Sequence, residues 1–151
     1  MLKIIVDASD ISLYQQTVAG TIYVMLNNVY FPFKDWSDLV VPVLGMWTSE
    51  IVDLLHGKTD RAECFFMDGS YYFEVLPEKE RTVIVNACEL STGLEDRRVI
   101  FTVRDTLDQL AKKLIQALEN LQAALKIKSP DNDYHTAAFI EELKEALPGR
   151  P

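Results

Sequence analysis

The sequence is poor in the residues on which metal, redox and phosphate chemistry usually depend. Its two histidines, His56 and His135, fall in different segments and make no HExxH-like pattern, so no metal site is expected. Two cysteines, Cys64 and Cys88, sit in apolar strand-like runs without CxxC spacing and read as free buried thiols. The six glycines are scattered, with neither GxxxxGK nor GxGxxG, which argues against a nucleotide cofactor or any other. A GxSxG nucleophile elbow is also lacking. Carboxylate pairs such as Asp35 with Asp38, or Glu141 with Glu142, are more simply read as helix caps and solvated charge than as an acid and base. The expectation is a protein with no catalytic residues, not an enzyme.

Basic tracts are absent too. Arg97-Arg98 and Lys112-Lys113 are short pairs of the kind found on solvated faces, whereas direct nucleic-acid binding needs a Lys/Arg footprint that displaces counterions. No apolar run approaches the eighteen or so residues of a membrane span, and Asp7 interrupts the apolar start "MLKIIVDASD". The reading is a cytoplasmic chain with no membrane partner.

What the sequence does have is an ordinary globular composition, 48% hydrophobic and 25% charged, with a formal net charge of -8. One domain over residues 1–151 is expected, since a chain of this length buries roughly two-thirds of its unfolded surface and needs no staple. The negative charge favours cationic partners, because complementary fields speed encounter and reject like-charged competitors.

Residues 2–6, 11–18, 21–26 and 29–33 are rich in Ile, Val, Tyr and Phe and read as a meander of short strands broken at 9–10, 19–20 and 27–28. Asn27-Asn28 suits a two-residue hairpin turn, because Asn tolerates the left-handed conformation. From Asp35 the period becomes helical through Trp36, Leu39, Val40, Val43, Leu44, Trp47, Ile51 and Leu54. Asp35 or Ser37 would cap it, Pro42 would bend it or delay its regular start, and Gly57 would end it. On this reading Trp36 and Trp47 share one core-facing stripe.

In "FFMDGSYYFEV", Asp68-Gly69 is a strong hairpin signal, read as a type I′ turn. The register would pair Phe66 with Tyr71, Cys64 with Phe73 and Ala62 with Val75. That leaves Glu63, Phe65, Met67, Tyr72 and Glu74 on a second, mixed face. Residues 81–90 and 97–104 form another alternating pair around "STGLED". Asp105 or Thr106 then caps a helix carrying Leu107, Leu110, Leu114, Leu118, Leu121 and Leu125. A third helix starts at Ser129-Pro130, carries Phe139, Ile140, Leu143 and Leu147, and ends at Pro148-Gly149. The fold expected is α+β, an antiparallel β-sheet of meanders and hairpins packed with about three α-helices.

The block "FPFKDWSD", an apolar Trp-containing helix and "FFMDGSYYFEV" together resemble small bacterial proteins that carry F-P-x-x-x-W-x-D and F-M-D-G over residues 31–75. Size, acidity and predicted fold are also similar to those of immunity proteins of bacterial toxin systems, including contact-dependent inhibition. That resemblance implies binding to a cognate cationic toxin, such as a nuclease with a basic substrate groove, and occlusion of its active site. The chemistry of the residues, rather than the resemblance, nominates Asp35, Asp38, Glu63, Phe65, Tyr72 and Glu74 as the partner-binding set. The competing expectation is a structural or regulatory interaction domain, self-associating through the amphipathic helix over 106–127.

Overall fold

The computed structural model describes residues 1–15, 17–90 and 97–148. It is an α+β fold of three helices and two antiparallel sheets. The "STGLED" turn, residues 91–96, and Gly149 lie outside the described residues.

The first sheet is organised by one long strand. β1 (Leu2–Val6), β2 (Ser12–Tyr14), β4 (Val29–Phe31) and β5 (Ser37–Leu39) all pair with β3 (Thr17–Leu26). β1 and β4 take its C-terminal half, whereas β2 and β5 take its N-terminal half. The expected break at Ala19-Gly20 is therefore corrected, because β3 runs through it. The chain reverses earlier, where Gln15 has φ 56° and Tyr14 pairs with Thr17. A side chain on Gly20 would stand 3.2 Å from the Asp10 carboxylate, so this glycine marks a close approach. Asn27 and Asn28 do form the expected turn, with φ of 49° and 73° between paired Leu26 and Val29.

α1 (Val40–Leu55) begins later than its apolar periodicity suggested. The three residues before it are paired as β5, so Pro42 falls in the first helical turn, where backbone N–H groups have no intrahelical partner to lose. Trp36 is thus off the helix and shares no face with Trp47. The other end is as expected: Gly57 takes φ 71° and donates its N–H to the Leu54 carbonyl. Val43, Leu44, Trp47 and Ile51 are buried, and the Trp47 indole N–H donates to the Phe65 carbonyl at 2.7 Å, fixing α1 to the second sheet.

That second sheet runs β6 (Ala62–Phe65), β7 (Tyr71–Pro77), β8 (Thr82–Leu90) and β9 (Arg97–Thr106) as a meander. The β6–β7 register is the expected one, Ala62 with Val75 and Cys64 with Phe73. The connection, however, is residues 66–70; the Phe66 N–H still bonds the Tyr71 carbonyl, which leaves a turn over 67–70 where only Gly69 has positive φ, so it is not type I′. β9 carries a bulge, since Ala87 pairs with Phe101 and Cys88 with Val99.

α2 (Leu107–Lys128) is capped by Thr106, whose hydroxyl oxygen accepts the Gln109 N–H. Its Leu110, Leu114, Leu118 and Leu121 are 0–1% exposed, so the stripe that could have carried self-association lies inside the fold. α3 (Thr136–Ala146) begins several residues after the expected Ser129-Pro130, because His135 takes a left-handed conformation at its N-cap. It packs on both other helices, and a side chain on Gly45 of α1 would come within 3.0 Å of the Phe139 ring. Both cysteines are free and buried. Among the described residues no helix is long and apolar enough to cross a membrane, and no group of His, Cys, Asp or Glu could hold a metal ion.

Candidate functional site

The two motif blocks, far apart in sequence, meet in space. β5 and the turn 67–70 are joined by Asp38, which is 6% exposed. Its Oδ2 accepts the Trp36 indole N–H at 3.1 Å and the backbone N–H groups of Met67 at 3.0 Å and Asp68 at 3.2 Å. Its Oδ1 accepts the Leu39 N–H at 2.7 Å. A carboxylate buried in this way is stable because charged hydrogen bonds replace its hydration.

With Asp38 orienting its ring, Trp36 packs edge-on against Tyr71 (centroids 5.6 Å apart) and Phe66 (6.3 Å) and lies beside Phe33 at 5.9 Å. Phe31 and Phe33 in turn meet Tyr71 edge-on at 5.8 and 5.7 Å. Such edge-to-face contacts suit the aromatic quadrupole. Gly69 makes the closure feasible: a Cβ there would stand 3.2 Å from the Tyr71 ring and 3.5 Å from Trp36 Cη2. Burial, reinforced by the Glu89 carboxylate that receives its hydroxyl proton in a hydrogen bond, raises the Tyr71 phenol above its usual pKa.

This cluster is only half sunk in the protein. Phe33 is 57% exposed and Met67 49%, while Trp36 and Tyr71 are half-buried. Asp35 and Asp68 are exposed at its rim and make no ion pair among the described residues. Two cations stand close by: Lys34, its Nζ 5.6 Å from the Tyr30 ring centre, and Arg98, which pairs with Glu89 at 2.8 Å and partly offsets the rise of the Tyr71 phenol. The result is an apolar ledge edged by free carboxylates.

The nominated residues divide between this ledge and the outer face of the second sheet. Asp35 stands on the rim of the ledge. Asp38 is its internal brace, 6% exposed, so it presents no exposed charge and offers a partner at most the open acceptor position on Oδ1. Glu63, Phe65, Tyr72 and Glu74 share the other sheet face as foreseen, with Glu63 opposite Glu74 and Phe65 stacked on Tyr72 at 4.5 Å. Yet Tyr72 is 2% and Glu74 0% exposed, so neither is available to a docking surface. Glu74 Oε2 accepts hydrogen bonds from Asn86 at 2.9 Å and from Arg97 at 2.8 Å, whereas Oε1 has no partner among the described residues. Burial, followed by the neighbouring Cys88 and Glu74, pushes the Tyr72 phenol up to about 12. Glu63 and Phe65 are half-buried, and Glu63 pairs with Arg61 at 3.7 Å.

Phe33, Trp36, Met67, Asp68 and Tyr71 are members of the ledge that the sequence did not nominate. Their signal was the pairing of "FPFKDWSD" with "MDG", hidden because the former was read as the start of a helix. No family model matches the chain, and no curated protein matches it. Among solved structures, the crystal structures of Trypanosoma brucei MRP1/MRP2 align over 85% of this chain and 84% of that one, at 10% identity and a TM-score of 0.32.

Proposed function

We propose that this chain is an immunity-type protein of the bacterial cytoplasm that binds a cognate cationic toxin and occludes its active site, with the Phe33–Trp36–Met67 ledge as the docking surface. The observation that carries this reading is the convergence of two distant motif blocks on one exposed aromatic surface, braced from within by a buried carboxylate and rimmed by free ones. Core packing alone gives no reason to hold Phe33 and Met67 at the surface of a rigid, preformed cluster. Aromatic anchors surrounded by steering charge are what a protein interface uses. A net charge of -8 extends the same preference over the whole molecule. Inhibition by occlusion asks no chemistry of this chain.

Self-association through the 106–127 helix is the weaker reading, because its leucines are already packed against β1 and the other helices. Replacing Phe33 by Ala and Asp35 and Asp68 by Lys leaves the core untouched and removes the features the proposal relies on. Co-expression of a toxic upstream-gene product with wild-type or triple-variant protein tests it. Rescue by the wild type and loss of rescue with the variant are expected, and equal rescue by both would refute the assigned surface.

A further inference from the structure

Beside the ledge, a cleft of about 390 Å³ opens between the first sheet and the 67–70 turn. Ala19, Leu39 and Met67 give it apolar walls, and Ser37, Asp38 and Asp68 supply its polar groups. Among the described residues no basic side chain lines it. Asp38 Oδ2 is saturated by three N–H donors, but Oδ1 accepts a single one and keeps an acceptor position. The Asp68 carboxylate is exposed and makes no ion pair among the described residues. Apolar lining residues beside an exposed carboxylate, with a second carboxylate held by its hydrogen bonds next to them, match a ligand with an aliphatic stem and a cationic head.

We infer that this cleft is a receptor for an arginine side chain, supplied by the protein partner of the proposed function. Only the source of the arginine rests on that proposal. Arginine fits better than lysine for two reasons. Its planar group carries five donors, which can be divided between Asp68, the free position on Asp38 and the Ser37 hydroxyl, whereas an ammonium presents three on a point charge. It is also less strongly hydrated, so placing it against Leu39 and Met67 removes less favourable solvation. The site is preformed, because the same Asp38 hydrogen bonds that hold the turn fix both walls before any partner arrives.

The test needs no partner. Full-length, isotopically labelled protein is titrated with N-acetyl-arginine amide, N-acetyl-lysine amide and N-acetyl-norleucine amide. The Trp36 indole N–H and the Ser37, Leu39, Met67 and Asp68 amides are followed by NMR. Expected are saturable shifts at these positions with the arginine probe, a response about tenfold weaker with lysine, and none with norleucine. Asp68→Asn, at a carboxylate that makes no ion pair among the described residues, should weaken arginine binding by about tenfold without altering the remaining spectrum. Absence of saturable shifts, equal responses to lysine or norleucine, or an unchanged affinity in Asp68→Asn would overturn the assignment. A toxin complex together with an unresponsive cleft would defeat this inference alone. Arginine binding without any toxin complex would leave the cleft standing and defeat the proposed function.

Discussion

The Asp38 carboxylate accepts the Met67 backbone N–H at 3.0 Å across 29 positions of sequence, and this bond joins the two halves of the ledge. Asp38→Asn retains one acceptor oxygen but turns an NH2 group towards donors that need acceptors. We expect a loss of about 1.5–3 kcal/mol, the range for hydrogen bonds to a charged group. The exposed Asp35→Asn should stay within about 0.5 kcal/mol of wild type. Urea unfolding midpoints at constant slope measure both, and equal midpoints would show that Asp38 braces nothing.

Gly69→Ala combines two penalties, a left-handed backbone at φ 73° and a new methyl 3.2 Å from the Tyr71 ring. A destabilisation of about 1–2 kcal/mol is expected from the backbone alone. Displacement of Tyr71 and Trp36 should appear as a changed near-UV circular dichroism spectrum with unchanged secondary structure. A spectrum identical to wild type would contradict the close packing described for this turn.

Tyr72 gives the protein a specific alkaline liability. Its folded pKa, raised to about 12 chiefly by burial, lies above the ordinary 10.0, so the folded state favours the neutral phenol. The corresponding stability is complete below the ordinary value and is lost as pH rises through the folded one. Tyr72→Phe should therefore flatten the stability profile between about pH 10 and 12 relative to wild type. Parallel profiles for the two proteins would contradict this.

At the acid end Asp105 is the partly buried carboxyl that is held below its ordinary value, as the exposed Asp7 also is. Burial pushes its carboxyl up, but Lys113 at 2.8 Å and the backbone N–H groups of Leu2 at 3.0 Å and Thr106 at 2.8 Å outweigh that effect and leave it below the ordinary 3.8. A depressed folded pKa contributes stability above the unfolded value, lost as pH falls through the folded one. The stability gap between wild type and Asp105→Asn should thus be full above about pH 5 and close below the ordinary carboxylate range. A gap independent of pH would mean that the charge of Asp105 contributes nothing.

Elements with a strong local signature were readable from sequence. Asn27-Asn28 specified its turn, the pair Asp105-Thr106 marked the start of α2, which Thr106 caps, and the hairpin register placed Cys64 opposite Phe73. Competition between local and tertiary forces hid the rest. Trp36 matches the helical period of α1, yet β3 captures residues 37–39 as a strand, and the Asp38 bonds to the 67–70 turn are a contact that no local pattern encodes. Glu74 looked like a surface charge because strand alternation shows which face a residue takes, but not whether Arg97 and Asn86 converge over it. The ledge was visible only as aromatic richness, since exposure of Phe33 depends on what packs beside it.

The most direct test of the docking proposal is a binding isotherm between this protein and the purified product of the gene immediately upstream, measured at low and high salt with wild type and Phe33→Ala. The expected result is a tight complex, weakened by salt because charges steer it, and weakened further by about tenfold or more in Phe33→Ala, while thermal stability of the variant is retained. No complex with a neighbour that is harmless when expressed alone, or a complex indifferent to Phe33, would contradict the account.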